Sequence, residues 1–460
     1  MRHTLPRVLG LWDVIAITAG TILGSAIFVA AAFIPRAVPH ASLVLLLWLV
    51  GGLIVIAGSL TYAELGAMFP SSGGQYVYIR QAFGPLWGFL FGWTSLFAIQ
   101  SGANAFLGVA FGEYLGAFVP FFSSTHVIAS ISLGPWQWQP NTAQLAGVAA
   151  IVGLSTLNYF GTRSASSVQG ILTGIKVLSV GALIGFGLLA PAKVHPTWTA
   201  PLPPINLVTV AGVAIVAIIG SFDGWYQATF CAGDIKRPER NLPLGMIGGA
   251  ALVGALYLLV SVVYLRALPI ETIGASTRIG EQATTALLGP GAGSLLAGAV
   301  LVSIFGCLAS ATIASARLGL PMAEDAPACS WLSTIHPRYQ TPSGGIVTLA
   351  IWSSVLTLSG SYEQLFSYAI FSSILFHVVT GLSLFQLRRT RPEVARPYRT
   401  WGSPLVPAVF VLAMTGLVIN SFSEQPWQSL FGVGLVALGV PVFRWRPSAI
   451  TQPRSLSSPD

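Results

Sequence analysis

Apolar stretches of about 20 residues recur along the whole chain, separated by short polar breaks rich in glycine and proline. A stretch of this length is what an α-helix needs to cross the hydrocarbon core of a bilayer. Only 8% of the 460 residues are charged, whereas an average soluble protein carries about 25%. The sequence therefore predicts an integral membrane protein. It argues against an ordinary cytosolic enzyme, a disordered chain and a nucleic-acid-binding protein.

The pattern predicts an all-α membrane protein with about twelve transmembrane helices in one domain over residues 1–460. The stretches are long and lack strict alternation of apolar and polar residues, which disfavours membrane strands. The predicted spans lie at about 11–34, 42–66, 85–111, 142–160, 166–190, 206–232, 243–266, 287–320, 344–359, 362–387, 402–421 and 427–443.

Positive charges set the expected orientation, because cytoplasmic loops of membrane proteins carry an excess of Lys and Arg. With the amino terminus inside, 16 of the 22 Lys and Arg residues fall on that side and four fall outside. The remaining two, Lys176 and Arg317, lie within or at the edge of a span. Both termini are therefore expected to be cytoplasmic, with a short tail over 446–460.

The first predicted span has glycines and hydroxyl side chains at its centre, in the run Gly20–Ser25 (GTILGS). One interpretation is close packing, since glycine lets two membrane helices approach each other. The other is that the helix unwinds here, which frees carbonyl groups in one half-helix and amide groups in the next. Because freed amides attract a carboxylate and freed carbonyls attract an ammonium, such a break suits a zwitterion.

A second interruption, Gly220–Trp225 (GSFDGW), falls in the predicted sixth span. Interrupted spans at corresponding places in two halves point to a transporter built from inverted repeats. The repeats are expected at about 8–190 and 203–390, with extra helices at about 400–445. Asp223 is the only carboxylate placed near mid-membrane, and such a position is functional by default. The alternative is a structural aspartate that freed backbone amides satisfy.

Two further polar residues fall inside predicted spans. Lys176 lies roughly 15–20 Å deep in span 5, and a buried ammonium needs carbonyl groups or an anion around it. It is predicted either to cap the broken end of span 1, in a place where another transporter would hold Na⁺, or to act structurally. His377 in span 10 is either a proton relay or an ordinary hydrogen-bonded helix residue.

Catalytic, cofactor and metal sites are not expected. The three cysteines, Cys231, Cys307 and Cys329, lack the spacing of metal ligands or of a disulfide framework. The sequence also has no HExxH and no GxSxG motif.

Several motifs occur in order along the chain. They are Gly20–Phe28 in span 1, Phe69–Tyr76 after span 2, Phe222–Trp225 and Ile235–Pro243 around span 6, Ala316–Leu318 and His336–Pro342 around span 8, and Arg391–Arg399 before span 11. In this order and spacing they resemble the amino acid–polyamine–organocation superfamily, near its branch of L-type amino acid transporters and bacterial serine/threonine exchangers. The resemblance covers nearly the whole chain.

The resemblance implies a LeuT-type fold, in which five plus five helices form inverted repeats with broken spans 1 and 6, and two helices are added. It also implies an amino acid substrate. The carbonyls of Ile22, Gly220 and Asp223 would hold the ammonium, and the Ser25 hydroxyl with amides near Ala26 would hold the carboxylate. The whole predicted binding set is Thr21, Ile22, Gly24, Ser25, Ala26, Gly220, Phe222, Asp223 and Trp225.

Lys176 matches the lysine that, in this branch, sits near the equivalent of a sodium site. This implies Na⁺-independent transport, often by obligatory exchange. The loop at about 119–141 has no cysteine, whereas animal relatives use one there to bond an ancillary subunit. No disulfide-linked partner is therefore expected.

Three positions depart from the family pattern. Ala26 stands where glycine is usual, and Gly220 stands where many relatives carry an aromatic gate, so Phe222 or another ring is expected to close the site. Ala309 stands where relatives often carry asparagine, and the smaller alanine is expected to enlarge the pocket.

The expected function is Na⁺-independent amino acid exchange by alternating access across a bacterial cytoplasmic membrane. The first alternative is a proton-coupled symporter for amino acids or polyamines, with Lys176 or His377 involved in coupling. An amino acid-sensing membrane receptor is an alternative of another class. A membrane enzyme is a third alternative, but the sequence offers no recognisable set of catalytic residues for it.

Overall fold

The apolar stretches form α-helices in this computed structural model, which describes residues 9–24, 26–70, 73–133, 136–160, 165–196, 198, 206–316, 318, 322–323, 325–339 and 341–445. Within these residues, nine helices are long and apolar enough to cross a membrane. Three shorter apolar helices, Gly174–Leu189, Thr209–Ser221 and Ser343–Ser359, fall at predicted spans 5, 6 and 9. The prediction of a helical membrane protein is therefore confirmed, as far as the number and apolar character of these helices show it.

The helices follow one another with short connections. They are α1 Leu11–Ile22, α2 Ala26–Val29, α3 Phe33–Ala37, α4 Ala41–Met68, α5 Gln75–Phe83, α6 Pro85–Thr94, α7 Ser101–Leu115, α8 Thr142–Phe160, α9 Ala165–Leu189, α10 Leu207–Ser221, α11 Pro238–Ala267, α12 Ile270–Ala275, α13 Ile279–Leu288, α14 Pro290–Ala316, α15 Ser343–Ser359, α16 Tyr362–Thr390, α17 Leu405–Glu424 and α18 Pro426–Arg444.

Shorter elements complete the chain. A π-helical stretch, Ser95–Gln100, joins α6 to α7. The antiparallel strands β1 Ile131–Leu133 and β2 Trp136–Trp138 pair between α7 and α8. Single 3₁₀ segments lie at Ala30–Ala32, Gln227–Asp234 and Pro327–Ser333. The sequence analysis did not anticipate the hairpin or the short helices α5, α12 and α13.

Two of the membrane-length segments are interrupted. α1 ends at Ile22, and the chain becomes helical again at Ala26. α10 ends at Ser221, and a 3₁₀ segment begins at Gln227. Gly224 between them has φ of 103°, a conformation that a residue without a Cβ adopts at little cost. Both interruptions fall where the glycine-containing runs of the sequence predict them.

Large apolar residues cover much of the outer surface of the bundle, and a few ionisable residues lie in its largely apolar interior. Large apolar side chains face outward, such as Leu189, which is 83% exposed, and Leu412, which is 70% exposed. Ionisable side chains such as Glu64, Lys176 and His377 are buried. Exposed apolar faces of this extent match a lipid environment, because hydrocarbon chains solvate them well.

The two interruptions lie inside the bundle. α1 and α4 pack on α11, and α10 packs on α4 and α17. α16 packs on α5, α7 and α17. α10, α11 and α16 therefore carry the side chains that surround the breaks.

Candidate functional site

The break in span 1 and the break in span 6 touch each other. The Thr21 hydroxyl lies 3.0 Å from the Gly224 carbonyl oxygen and also 2.8 Å from the Ile17 carbonyl oxygen of its own helix. A Cβ on Gly224 would lie only 2.9 Å from the Thr21 carbonyl oxygen, so the close approach needs glycine as well as the positive φ. Thr21 and Gly224, which are 203 residues apart in sequence, thus hold the unwound segments side by side.

One tyrosine of α11 bridges the two breaks. The Tyr257 hydroxyl lies 2.9 Å from the Ile22 carbonyl and 3.2 Å from the Ser221 carbonyl. Sequence analysis missed this residue. The sequence feature that could have indicated it is the pair Tyr257 and Tyr264, two tyrosines seven residues apart on one face of an apolar helix.

Tyrosine hydroxyls satisfy the carbonyls that the break in span 1 frees. Tyr264 donates to the Ile27 carbonyl across 3.1 Å, and Tyr114 of α7 donates to the Phe28 carbonyl across 2.9 Å. Carbonyl groups buried in a membrane need such partners, since water is not at hand. The unwound backbone is therefore held by specific side chains.

Two of the three carbonyls predicted to hold an ammonium have internal partners in this conformation. The Ile22 carbonyl accepts from the Gly24 amide across 2.6 Å as well as from Tyr257. The Gly220 carbonyl accepts from the Asp223 amide across 3.1 Å. A carbonyl oxygen has two lone pairs, so an ammonium at Ile22 would replace or share one of these bonds. Ser25 lies outside the described residues, and its predicted contact stays a prediction.

The Asp223 side chain is half-buried at the break. Its carboxylate interacts with the hydroxyls of Ser373 and Tyr226 and with the Gly224 amide. Trp225 is fully buried, and its ring lies 4.7 Å from the Tyr62 ring between centroids. Within the described part of the chain, the indole N–H of Trp225 has no hydrogen-bond partner.

Phe366 of α16 is the aromatic ring beside Gly220. A Cβ on Gly220 would lie 2.4 Å from Phe366 Cζ. Phe222 is fully buried elsewhere, with its centroid 6.2 Å from the Trp48 ring and 5.4 Å from the Tyr257 ring. Of the two options that the sequence left open, the structure places the other ring, and not Phe222, against Gly220.

Lys176 is buried between α9 and α14. Its Nζ lies 2.8 Å from the Cys307 Sγ, and the residue is 5% exposed. The ammonium therefore joins predicted spans 5 and 8. The expected cap on span 1 stays a prediction, because Ser25 is not described. The Ala309 side chain also falls outside the described residues, so the pocket enlargement expected there is untested.

The described bundle contains a small cavity and a larger groove on its outer surface. One of about 170 Å³ lies between α3, α10, α16 and α17, where Phe366 and the ion pair of Arg36 with Glu363 line it. The other, about 550 Å³, is an apolar groove between α8 and α15 on the outer surface. The smaller cavity lies close to the site, because Phe366 lines it and also lies beside Gly220.

A sequence model described as amino acid permease matches residues 9–437. The chain belongs to the amino acid permease family. The resemblance drawn from the motifs is confirmed, and the match includes both breaks of this permease, Lys176 and His377. Among the residues that the structure describes, no group of three or more His, Cys, Asp and Glu side chains could hold a metal ion.

Curated relatives match the permease over nearly its full length. The serine/threonine exchanger SteT of Bacillus subtilis is 29% identical over 419 residues, which cover 90% of each chain. The b(0,+)-type amino acid transporter 1 of Homo sapiens is 29% identical over 95% of this chain and 87% of its own. The Asc-type amino acid transporter 1 of Mus musculus is 28% identical over 96% and 81%.

Proposed function

We propose that this permease exchanges amino acids across a membrane by alternating access and without Na⁺. The observation that carries the proposal is the contact between the two breaks, where Thr21 bonds Gly224 and Tyr257 bonds both sides. Membership of the amino acid permease family and the exchanger and transporter activities named for the relatives support it.

Backbone groups at the breaks bind the part that all amino acids share. The carbonyls of Ile22, Gly220 and Asp223 take the α-ammonium, and the amides near Ser25 and Ala26 take the α-carboxylate. Charge-assisted hydrogen bonds to backbone groups are strong away from water, which supports this division of roles. The Tyr257 hydroxyl holds the Ile22 carbonyl in position for the ammonium. Thr21, Gly24, Phe222 and Trp225 shape the breaks around these groups.

Lys176 makes Na⁺ binding at its site unfavourable. Its ammonium is a fixed positive charge inside the bundle, and a second cation beside it would be repelled strongly at low dielectric. The close contact with Cys307 supports a fixed position for the ammonium. The lysine thus replaces a coupling ion, and transport needs no sodium gradient.

The proposed topology has twelve spans, and it follows the predicted boundaries. Spans 1–5 and 6–10 form the inverted repeats at about 8–190 and 203–390, and α17 and α18 are the added helices. The nine long and three short apolar helices support this count. Both termini face the cytoplasm of a bacterial cell, and the permease works without an ancillary subunit or enzymatic activity.

Purified permease in proteoliposomes tests the proposal directly. Uptake of a labelled amino acid panel is measured without Na⁺, with and without unlabelled amino acid inside. Uptake that requires internal substrate would support exchange and name the substrates. Accumulation in empty vesicles under a proton gradient would replace exchange with proton symport, and no uptake of any amino acid would overturn the function.

Asp223 supplies the only carboxylate in the sequence of the two breaks, and a cationic side chain is the ligand that it suits. In an Asp223→Asn variant, we expect uptake of cationic amino acids to fall relative to neutral ones. An unchanged ranking of substrates would restrict the role of Asp223 to its backbone carbonyl.

A further inference from the structure

A line of buried polar side chains runs from α5 to the break in span 6. Gln75 Nε2 lies 2.7 Å from the Tyr62 hydroxyl, which lies 2.7 Å from His377 Nδ1. His377 Nε2 lies 3.3 Å from the Ser373 hydroxyl, and Ser373 interacts with the Asp223 carboxylate. The line joins four separate parts of the chain, since Tyr62 and His377 alone are 315 residues apart.

The proton positions along this line can be derived from the Gln75 end, where Thr380 fixes the orientation of the side-chain amide. The Thr380 hydroxyl donates to the Phe376 carbonyl across 2.7 Å, so it can only accept from Gln75, 3.1 Å away. The side-chain amide of Gln75 therefore points its NH₂ group at Thr380 and Tyr62. Tyr62, which accepts from Gln75, has its own proton left for His377.

His377 is consequently the neutral tautomer with its proton on Nε2. Nδ1 accepts from Tyr62, and Nε2 donates to the Ser373 hydroxyl. Ser373 then has one proton left, and its hydroxyl interacts with both the Asp223 carboxylate and the Tyr226 hydroxyl at the break. The three hydrogen bonds from Gln75 to Ser373 therefore run in one direction, and the interaction of Ser373 with Asp223 continues the line to the break.

We propose that His377 is a positioning residue, which holds the Asp223 carboxylate at the substrate site through Ser373. The inference rests on the proposed function, because Asp223 belongs to the set that binds the amino acid. His377 does not touch the substrate in this proposal. It orients Ser373, and Ser373 orients the acidic residue of the unwound segment.

The geometry of α16 supports this role. Ser373 and His377 are four residues apart, so they lie on the same face of the helix and turn toward the break. The His377 ring packs against two aromatic rings, with its centroid 5.2 Å from that of Trp225 and 5.1 Å from that of Tyr226. A ring held by this packing and by hydrogen bonds at both nitrogens keeps its hydrogen-bond partners in a fixed orientation.

The neighbouring serine provides a matched control. Ser372 is also fully buried on α16, but its hydroxyl donates to the Tyr368 carbonyl one turn earlier across 3.0 Å. It takes no part in the line. Loss of the Ser372 hydroxyl therefore removes a buried serine of the same helix without touching Asp223.

Two amide substitutions of His377 distinguish the roles of its two ring nitrogens. Glutamine places its NH₂ group near the position of Nε2, so His377→Gln keeps a donor for Ser373. Asparagine places its oxygen near the position of Nδ1, so His377→Asn keeps the acceptor for Tyr62 and loses the link to Ser373. Both variants keep a polar group at this buried position, and a difference between them indicates which hydrogen bond of His377 matters.

Exchange kinetics in proteoliposomes test the proposal. We expect His377→Gln and Ser372→Ala to keep the wild-type KM within about threefold, and His377→Asn and Ser373→Ala to raise it about tenfold. The double variant His377→Asn/Ser373→Ala should be no worse than Ser373→Ala alone, because both changes break the same link. Equal KM values for His377→Gln and His377→Asn, or additive losses in the double variant, would overturn the proposal.

A spectroscopic measurement decides the inference even if the proposed function fails. In ¹⁵N-histidine-labelled protein in nanodiscs, His377→Gln identifies the His377 signals by their loss. We expect the Nε2-protonated tautomer, with an Nε2 signal that moves in Ser373→Ala and Asp223→Asn but not in Ser372→Ala. An Nδ1-protonated ring, or an Nε2 signal insensitive to Ser373→Ala, would overturn the proposal independently of transport.

Discussion

The Tyr257 hydroxyl donates to the Ile22 carbonyl across 2.9 Å, although the two residues are 235 positions apart. The same hydroxyl lies 3.2 Å from the Ser221 carbonyl. A single side chain of α11 therefore holds the end of α1 against the end of α10. The proposed substrate ammonium meets the protein at this junction, so Tyr257 is well placed to report on binding.

Tyr257→Phe removes the hydroxyl and leaves the ring in place. We expect KM for exchange to rise about tenfold, since loss of one or two buried hydrogen bonds is worth about 1–2 kcal/mol. Tyr264→Phe is the control, because Tyr264 donates to Ile27 beyond the break. Both variants should lose some thermal stability, and equal KM values in the two would contradict the special role of Tyr257.

Lys176→Ala removes the buried ammonium and leaves Cys307 without it. We expect exchange at equal expression to fall at least about tenfold, because the lost charge was held in a low-dielectric interior. Lys193→Ala, which changes a lysine in the loop after α9, should leave exchange near the wild-type rate. Wild-type flux in Lys176→Ala would remove the proposed role of this lysine.

Gly220 and Phe366 form a pair in which only one position can carry an aromatic ring. Gly220→Phe should abolish exchange, because its Cβ alone would already lie 2.4 Å from Phe366 Cζ. In Gly220→Phe/Phe366→Gly, a ring is again available at this place, and we expect part of the activity to return. If the double variant is as inactive as the single one, steric conflict between these two positions is not the cause.

Glu64 and Arg388 form a two-pronged ion pair that joins α4 to the end of α16. Arg388 Nε lies 2.9 Å and a terminal nitrogen 2.6 Å from the carboxylate, which also accepts from the Thr400 amide across 2.7 Å. Because Glu64 is fully buried, Arg388→Met leaves a buried charge unpaired and should cost about 3–5 kcal/mol of stability.

Thermal unfolding in detergent measures this loss. Arg389→Met, which changes the exposed neighbour of Arg388, serves as the control and should change the midpoint little. Glu64→Gln/Arg388→Met should be more stable than Arg388→Met, since the isolated carboxylate is gone. A midpoint for Arg388→Met equal to that of Arg389→Met would show that the pair adds no stability.

Cys329 lies in the segment between α14 and α15, where burial raises the pKa of its thiol to about 11. Only the thiolate reacts with maleimide, so at pH 7.4 about one molecule in 4,000 is reactive at a given moment. In a Cys231→Ser/Cys307→Ser background, we expect slow labelling of folded protein that accelerates about tenfold per pH unit below pH 11. Denatured protein should label fast, and equally fast labelling of the folded form would contradict the burial of Cys329.

Sequence patterns were sufficient for the local features of this permease. The length of the apolar stretches predicts helices that can cross a bilayer, and the glycines near Ile22 and Gly224 predict where two of them break. These features depend on residues close together in the chain, since helix length and backbone freedom are local properties. The family resemblance adds the expected roles of Lys176 and of the residues at the breaks.

Only the tertiary structure decided which distant groups meet. Sequence spacing does not reveal that Tyr257 satisfies Ile22, that Phe366 and not Phe222 covers Gly220, or that Lys176 contacts Cys307. A buried polar or aromatic group needs a partner wherever it lies. Which partner it finds depends on how helices hundreds of residues apart pack against each other, and local sequence carries no record of that arrangement.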